Sequence, residues 1–312
     1  MAHLVLVLDP IHPGGIQLMR RAGLNVVEAY DMSREELKEL LKNADVIIVR
    51  SQTKVTKELI NAGPRLSVIA RCGVGLDNVD LSAAEERGIT VLNSPEASSI
   101  SVAELTIGLI LALLRRIPLA DRSLKEGKWL KRELEGCQFY GKTLGIIGFG
   151  RIGQEVAKRA LAFGVTVLAH DIDESKRSDA EKLGVVFLGS SRNSFESLLK
   201  KSDIVTIHVP LTEKTRLLIG SKELKLMKQG AYLVNTSRGE VIDEDALYQA
   251  LKNGWLAGAA LDVFQEEPPK NKKLISLPNV ICTPHIGAST NECQMKNALE
   301  IARKILDILK ID

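Results

Sequence analysis

Short apolar runs alternate with helical patterns through residues 4–95 of this chain. The apolar runs lie at 4–8, 25–28, 45–49, 66–70 and 90–92. Helical spacing of apolar positions lies between several of them, at 34–42, 57–62 and 81–87. Strands that alternate with helices are typical of a parallel sheet covered on both faces. The first part of the chain is therefore predicted to be a doubly wound α/β domain.

A second alternation begins near Lys142. Its predicted strands are 143–148, 165–170, 203–207, 231–235, 256–261 and 280–282. Its predicted helices are 151–163, 175–182, 194–200, 243–252 and 290–309. Parallel strands joined by crossover helices in this number are the architecture of a dinucleotide-binding domain. The last helix has no strand after it, so we expect it to pack back on the first domain.

The stretch 98–128, between the two alternations, is helical and strongly apolar. Ser101 and Glu104 form a capping-box pattern near its start, and Pro118 is expected to bend or restart the helix. A helix this apolar is usually buried between domains or against another subunit. It therefore favours a homodimer.

A glycine motif follows the first strand of the second alternation. Residues Gly148–Gly153 read G-F-G-R-I-G and come directly after the apolar run 143–147. The order strand, tight turn and helix start places backbone N–H groups where a pyrophosphate can bind. Asp171 ends the next strand, where an acidic residue would hold the adenine ribose hydroxyls. A glycine turn in an ordinary α/β unit is the alternative, but the strand before and the acid after favour the dinucleotide site.

Composition narrows the classes of function. The formal net charge is +3, charges of both signs are interspersed and 4% of residues are aromatic, which argues against a nucleic-acid surface. The cysteines form no C-x-x-C pair, as expected in a reducing cytosol, and Cys282-x-x-His285 lacks the further ligands of a metal site. The apolar stretch 105–114 is too short to span a bilayer. A soluble cytoplasmic protein without a metal is therefore predicted.

Chemically active side chains follow three consecutive strands of the second alternation: Arg238, then the adjacent Glu266 and Glu267, then His285. Because the carboxyl ends of parallel strands lie at one edge of a sheet, we expect these side chains to meet. An arginine fork suits a substrate carboxylate, and a histidine beside a carboxylate is an acid–base unit. A surface arginine and a structural histidine are the alternatives for each residue alone, whereas the set favours catalysis.

These residues lie in motifs that resemble the D-isomer-specific 2-hydroxyacid dehydrogenase family. The matching motifs are Gly148–Gly153, His208–Leu211, Asn235–Gly239, Asp262–Phe264 with Glu267-Pro268, and Pro284–Ala288. The resemblance implies that Arg238 binds the substrate carboxylate and carbonyl, that Glu267 supports the histidine, and that His285 is the general acid/base. Glu266 is adjacent, but the junction with Pro268 makes Glu267 the better match to the family.

The resemblance also implies an NAD site. Its residues would be Gly148, Gly150, Arg151, Ile152, Gly153, Asp171, His208, Pro210, Thr236, Ser237, Asp262, Gly287 and Ala288. A carboxylate at Asp171 repels the 2′-phosphate of NADP, and no arginine follows it directly, which favours NAD. Lys176 and Arg177 lie a little further on and complicate this preference. His208 is either a cofactor contact or a structural residue.

Two segments of the first domain, 50–55 and 71–80, resemble the phosphoglycerate dehydrogenases within this family. By that resemblance Arg50, with Ser51 beside it, would bind a substrate phosphate. The backbone N–H groups of Val74 and Gly75 would bind the substrate carboxylate. A plain carboxylate contact, or a role in domain closure, is the alternative for Arg50.

The expected architecture is two doubly wound parallel-sheet α/β domains. An NAD-binding Rossmann domain (98–289) would be inserted into a flavodoxin-like substrate domain (1–97 and 290–312). The resemblance implies NAD-dependent oxidation of 3-phospho-D-glycerate to 3-phosphooxypyruvate, the entry to serine synthesis. A glyoxylate or hydroxypyruvate reductase of the same family is the main alternative, and a non-enzymatic NADH-sensing scaffold is a remote one.

Two further expectations concern regulation and assembly. Lys131 and Arg132 resemble a basic segment that reaches the active site of a neighbouring subunit. Because the sequence stops at Asp312, directly after the last predicted helix, we expect no C-terminal regulatory domain and no serine inhibition through one.

Overall fold

A computed structural model of the chain describes residues 3–311. These residues form two compact units, one of residues 3–98 with 288–311 and the other of residues 99–287. Each unit has its own sheet, and all strand pairs within both sheets are parallel. This is the fold class that the sequence predicts.

The first unit begins with five short strands connected by helices. The strands are β1 (Leu4–Val7), β2 (Asn25–Glu28), β3 (Val46–Val49), β4 (Val68–Arg71) and β5 (Thr90–Asn93). The helices are α1 (Pro13–Arg21), α2 (Arg34–Leu41), α3 (Lys57–Ala62) and α4 (Leu81–Glu86). The strand order β2-β1-β3-β4-β5 is the flavodoxin-like order.

Local chemistry explains these elements. All residues of β3 are buried, as expected of a central parallel strand that is covered on both faces. Helix α2 begins with a capping box, in which the Ser33 side chain accepts from the Glu36 N–H and the Glu36 carboxylate accepts from the Ser33 N–H. The start of α4 has a simple N-cap, in which the Asp80 carboxylate accepts from the Ala83 N–H.

The second unit contains a larger, seven-stranded sheet. Its strands are β6 (Thr143–Ile147), β7 (Thr166–His170), β8 (Val186–Gly189), β9 (Ile204–Ile207), β10 (Ala231–Asn235), β11 (Leu256–Leu261) and β12 (Val280–Cys282). Its helices are α5 (Ser99–Leu114), α6 (Ile117–Lys125), α7 (Arg151–Ala162), α8 (Lys176–Leu183), α9 (Arg192–Lys201), α10 (Ser221–Leu226), α11 (Glu244–Lys252) and α12 (Lys272–Ile275). The order β12-β11-β10-β9-β6-β7-β8 is the Rossmann order with one strand added at the edge.

The last helix, α13 (Asn291–Leu309), belongs to the first unit. It crosses α1 so closely that a Cβ at Gly15 would lie 2.6 Å from the carbonyl oxygen of Ala298. Ile301 and Ile305 are fully buried in one of the two cores of that unit. The Lys304 ammonium also donates to the carbonyl of Asn93 at the end of β5 (2.8 Å).

Several expected elements differ from the structure. The second sheet has a seventh strand, β8, which the sequence analysis missed together with α1, α10 and α12. Ser101 lies inside α5, which begins at Ser99, so the predicted capping box there is wrong. The prediction for Pro118 is confirmed, because a new helix, α6, begins with this proline in its first turn.

Candidate active site and cofactor site

The glycine turn after β6 packs against its neighbours at two of its three glycines. Gly148 has φ of +91°, and a Cβ there would lie 2.5 Å from the carbonyl oxygen of His208. A Cβ at Gly153 would overlap the carbonyl of Gly148. At Gly150, in contrast, a Cβ would meet no atom within 4 Å from the rest of residues 3–311, its chain neighbours aside. The first and third glycines therefore close the turn, and the second leaves space over the backbone.

Helix α7 begins directly after Gly150, and within the described part of the chain no side chain caps its first N–H groups. Those donors, together with the positive end of the helix dipole, are available to an anion. The Asp171 carboxylate, at the end of β7, accepts from the Phe149 N–H (2.6 Å) and the Asp173 N–H (2.9 Å). One bond to each carboxylate oxygen leaves further acceptor capacity for ribose hydroxyls. The donors and acceptors of this turn therefore fit a dinucleotide.

Ile172 is a candidate contact that the sequence analysis missed. Its side chain follows Asp171 directly and is 84% exposed. An exposed apolar side chain beside the proposed ribose site suits the flat face of a purine ring. A single apolar residue within the polar stretch 171–176 is the signal that could have identified it.

The predicted cofactor residues after β9 and β10 are largely occupied by bonds within the unit. The Thr236 hydroxyl bonds that of Thr106 on α5 (2.9 Å), and the Ser237 hydroxyl donates to the Asn235 side chain (2.8 Å). The Pro210 carbonyl accepts from Thr215 (2.6 Å). A cofactor contact by these residues would therefore involve atoms other than these two hydroxyls and this carbonyl.

His208 lies at the end of β9, beside the glycine turn. Its Nε2 pairs with the Thr206 hydroxyl (3.0 Å), while its Nδ1 is buried without a hydrogen-bond partner in the described structure. Burial lowers the pKa of His208 to about 3. The ring is therefore neutral at physiological pH and is not an acid–base group there.

The three predicted catalytic residues lie on loops at one edge of the second sheet. Arg238 follows β10, Glu267 lies on the loop after β11, and His285 follows β12. These strands are neighbours in the sheet, so their carboxyl ends open at the same edge. The Arg238 backbone carbonyl accepts from the Asn235 side chain (2.8 Å), and its guanidinium donates to the Ser237 carbonyl (2.7 Å).

His285 and Glu267 form a direct pair, with 2.8 Å between Nδ1 and a carboxylate oxygen. The other carboxylate oxygen accepts from the Phe264 N–H (3.3 Å). Burial raises the pKa of Glu267, but the bond and charge of His285 outweigh it, with help from Phe264 and the Arg238 charge. The pKa of this carboxyl therefore lies below its usual value, and Glu267 is an anion at neutral pH.

Asp262 holds the loop that carries the histidine. Its buried carboxylate accepts from the Thr283 hydroxyl (2.6 Å) and from the N–H groups of Ile286 (2.9 Å) and Gly287 (2.8 Å). The backbone of His285 has φ of +53°, in the left-handed region, which favours glycine. These bonds stabilise that conformation, so Asp262, which was predicted only as a cofactor residue, shapes the loop that carries His285.

Pairing through Nδ1 leaves the Nε2 of His285 for a reacting group, in a side chain that is 43% exposed. Arg238 supplies positive charge at the same edge, and Glu267 fixes the orientation of the imidazole. Together, these residues can move one proton at a defined point and bind an anionic carbonyl compound beside it.

In the first unit, the predicted substrate residues lie at the carboxyl edge of the sheet. The Arg50 guanidinium, after β3, donates to the Pro10 carbonyl (3.2 Å), and Ser51 is exposed. After β4, Val74 is 39% exposed and its carbonyl accepts from the Asn93 side chain (2.7 Å). The structure therefore brings together the two strand ends that carry Arg50, Ser51, Val74 and Gly75.

None of the helices among residues 3–311 is long and apolar enough to cross a membrane.

A family profile described as "D-isomer specific 2-hydroxyacid dehydrogenase, NAD binding domain" matches residues 107–287. D-3-phosphoglycerate dehydrogenase of Methanocaldococcus jannaschii is 50% identical over 98% of this chain and 57% of its own length. The chain therefore spans little more than half of this longer relative.

A second relative matches from end to end. Hydroxypyruvate reductase of Thermotoga maritima is 47% identical, with 98% of both chains covered. Among solved structures, D-lactate dehydrogenase of Aquifex aeolicus, complexed with NAD and lactic acid, is 32% identical, with a TM-score of 0.82 over 99% of this chain and 96% of its own. These findings confirm the predicted family, fold class, NAD cofactor and oxidoreductase class.

Proposed function

Because this chain belongs to the D-isomer-specific 2-hydroxyacid dehydrogenase family, we propose that it is an NAD-dependent D-3-phosphoglycerate dehydrogenase. It would oxidise 3-phospho-D-glycerate to 3-phosphooxypyruvate, the first step of serine synthesis. The Glu267–His285 pair, together with Arg238 at the same sheet edge, carries the proposal for the reaction type. The phosphoglycerate dehydrogenase relatives and the position of Arg50 support the choice of substrate.

In the proposed reaction, bound NAD supplies the hydride acceptor. His285 removes the proton of the 2-hydroxyl group through Nε2, while the carbon that bears this hydroxyl loses a hydride. Glu267 orients the imidazole through Nδ1 and stabilises the positive charge that forms on it. Arg238 binds the carboxylate and the oxygen that becomes a carbonyl, which fixes the reacting carbon.

The residues proposed to hold the cofactor are those of the glycine turn, Asp171 and the loops after β9 to β12. The uncapped start of α7 would bind the pyrophosphate, and the space over Gly150 allows its close approach. Asp171 would bind the ribose hydroxyls and disfavour a 2′-phosphate. His208, Pro210, Thr236, Ser237, Asp262, Gly287 and Ala288 remain proposed contacts.

We assign recognition of the substrate's phosphate to Arg50 and Ser51, and recognition of its carboxylate to the N–H groups of Val74 and Gly75. A guanidinium at a strand end, with an exposed hydroxyl beside it, suits a dianionic phosphate.

A hydroxypyruvate reductase is the second candidate, because the Thermotoga maritima relative matches the whole chain at nearly the same identity. The two candidates share the proton-transfer residues and differ in whether a phosphate is recognised. Initial rates with 3-phospho-D-glycerate, D-glycerate, hydroxypyruvate and glyoxylate, each with NAD and NADP forms, distinguish them. Our proposal expects a preference for the phosphorylated acid, and its loss in Arg50→Ala.

A preference for hydroxypyruvate, unchanged in Arg50→Ala, would establish the reductase instead. NADH binding without turnover of any of these acids would support the sensing scaffold and refute both enzyme assignments. His285→Ala provides the inactive reference, because it removes the proton acceptor.

We also propose a cytoplasmic homodimer, for a different reason than the sequence suggested. Helix α5 buries most of its apolar side chains within its own unit. More strongly exposed apolar side chains follow the helix, at Ile117 (51%), Leu124 (60%) and Trp129 (78%). A second subunit would cover this surface, and the adjacent Lys131 and Arg132 would then reach its active site. Sedimentation analysis of the protein and of Trp129→Ala tests this assembly.

A further inference from the structure

The loop that carries Arg50 is held by two side chains from other parts of the first unit. It follows β3 and runs through Thr53 before α3 begins. Loops at strand ends are usually mobile unless their backbone groups are bonded. Here the backbone groups at both ends of the loop are bonded by side chains, those of Asp9 and Asn78.

Asp9 binds the N–H groups of this loop. It lies just after β1 and is 2% exposed. One carboxylate oxygen accepts from the Arg50 N–H (2.6 Å), and the other accepts from the Thr53 hydroxyl (2.6 Å). The Thr53 N–H is shared between both oxygens, at 3.1 and 3.2 Å. The hydrogen bonds that satisfy this buried carboxylate thus come almost entirely from the loop that carries Arg50.

Asn78 binds the carbonyl groups of the same loop. Its side-chain amide donates to the carbonyls of Arg50 (2.8 Å) and Thr53 (2.7 Å). The backbone carbonyl of Asn78 accepts from the Val55 N–H (2.8 Å), where the loop ends. Donors and acceptors of the loop are therefore fixed from opposite sides.

We propose that Asp9 is a positioning residue, which fixes the backbone at Arg50 and thereby aims its guanidinium for binding of the substrate's phosphate. The guanidinium itself bonds the Pro10 carbonyl, one residue after Asp9, so the same strand end holds both the backbone and the side chain of Arg50. A carboxylate is required, because both of its oxygens accept and an amide would place an NH₂ group against an N–H donor. This inference rests on the proposed function of Arg50.

Asp9→Asn tests it in the full-length protein. The KM for 3-phospho-D-glycerate should rise on the order of 10-fold, with kcat and the NADH affinity unchanged, because a displaced binding group affects substrate affinity first. Thr53→Val, which removes a single bond to Asp9, should raise the KM by a smaller factor. This variant keeps the test informative if Asp9→Asn does not fold.

Asp45 offers a matched control within the same sheet. It lies directly before β3, at the opposite edge from Arg50, and is 8% exposed. Its carboxylate also accepts from a backbone N–H, that of Leu4 (2.8 Å), and from the Arg65 guanidinium (3.0 Å). Asp45→Asn should lower the melting temperature as Asp9→Asn does, without a change in KM. An equal rise in KM in both variants would show a merely structural role and overturn the inference.

A double-mutant cycle separates this inference from the function on which it rests. If Asp9 acts through Arg50, Asp9→Asn adds no further rise in KM when Arg50 is already alanine. Additive effects would overturn the inference alone. No change in KM in Arg50→Ala itself would overturn the proposed phosphate site, whatever Asp9 does.

Discussion

Replacement of Glu267 by glutamine removes one negative charge and keeps the size of the side chain. In the proposed reaction His285 takes the hydroxyl proton, and its ring would then become positive at 2.8 Å from this carboxylate. Coulomb's law gives about 1.5 kcal/mol for this contact in surroundings like water, and about 3 kcal/mol at half that dielectric constant. The two side chains are 43% and 40% exposed, so the stabilisation lies within that range. Lost from the transition state, it lowers kcat by about 10- to 100-fold.

The assay is the initial rate of NAD reduction with saturating substrate, for the unaltered protein, Glu267→Gln and Glu266→Gln. Glu266 is the matched control, because it is the adjacent glutamate and pairs with Lys270 at the surface. Its neutralisation should leave kcat unchanged. Equal kcat values in Glu267→Gln and the unaltered protein, or an equal loss in both variants, would refute the reasoning that this pair stabilises the charged imidazole.

Three further predictions concern the second unit. Gly150→Ala should leave the melting temperature unchanged but weaken NADH binding at least about 10-fold, because its Cβ enters the open space proposed for the pyrophosphate at the start of α7. Gly153→Ala should lower the melting temperature, because its Cβ overlaps backbone atoms. Calorimetry measures the melting temperatures, and NADH titration measures the affinities. His208 has a folded-state pKa of about 3, below its ordinary 6.5, so the unfolded chain binds the proton more readily and stability falls as pH drops below 6.5. At pH 5 the loss is about 2 kcal/mol, and denaturant titrations of His208→Gln should lack it. Asp171→Ala should weaken NADH binding more than NADPH binding, because only NADH has both hydroxyls of the adenine ribose free; equal losses in fluorescence titrations would contradict that role.

The strongly patterned parts of the fold could be predicted from the sequence. β3 and β9 are short apolar runs that are buried on both faces, and the glycine turn has a spacing that few other structures require. β8 was missed because it is an edge strand of four residues, directly after a helix, and half of it is exposed or partly exposed. Its place in the sheet comes from pairing with β7, which no local sequence pattern predicts.

The candidate site divides in the same way. Arg238, Glu267 and His285 stand at strand ends in recognisable motifs, so their proximity could be anticipated from topology. The roles of Asp9 and Asp262 could not be anticipated, because each carboxylate bonds the backbone of a loop that is distant in the sequence. Ser101 shows the opposite error, where a local capping pattern lies within a helix that tertiary packing extends past it.

The position of α13 has a consequence for synthesis of the protein on the ribosome. The face of the first sheet that Ile301 and Ile305 cover is made by strands near the start of the chain, yet its cover emerges only after residues 99–287. At about 5–20 residues per second, that segment takes roughly 10–40 s to translate. During this interval the nascent first unit displays an uncovered apolar face next to a complete set of paired strands. Chaperone binding to nascent chains should therefore peak before α13 emerges and fall once it docks.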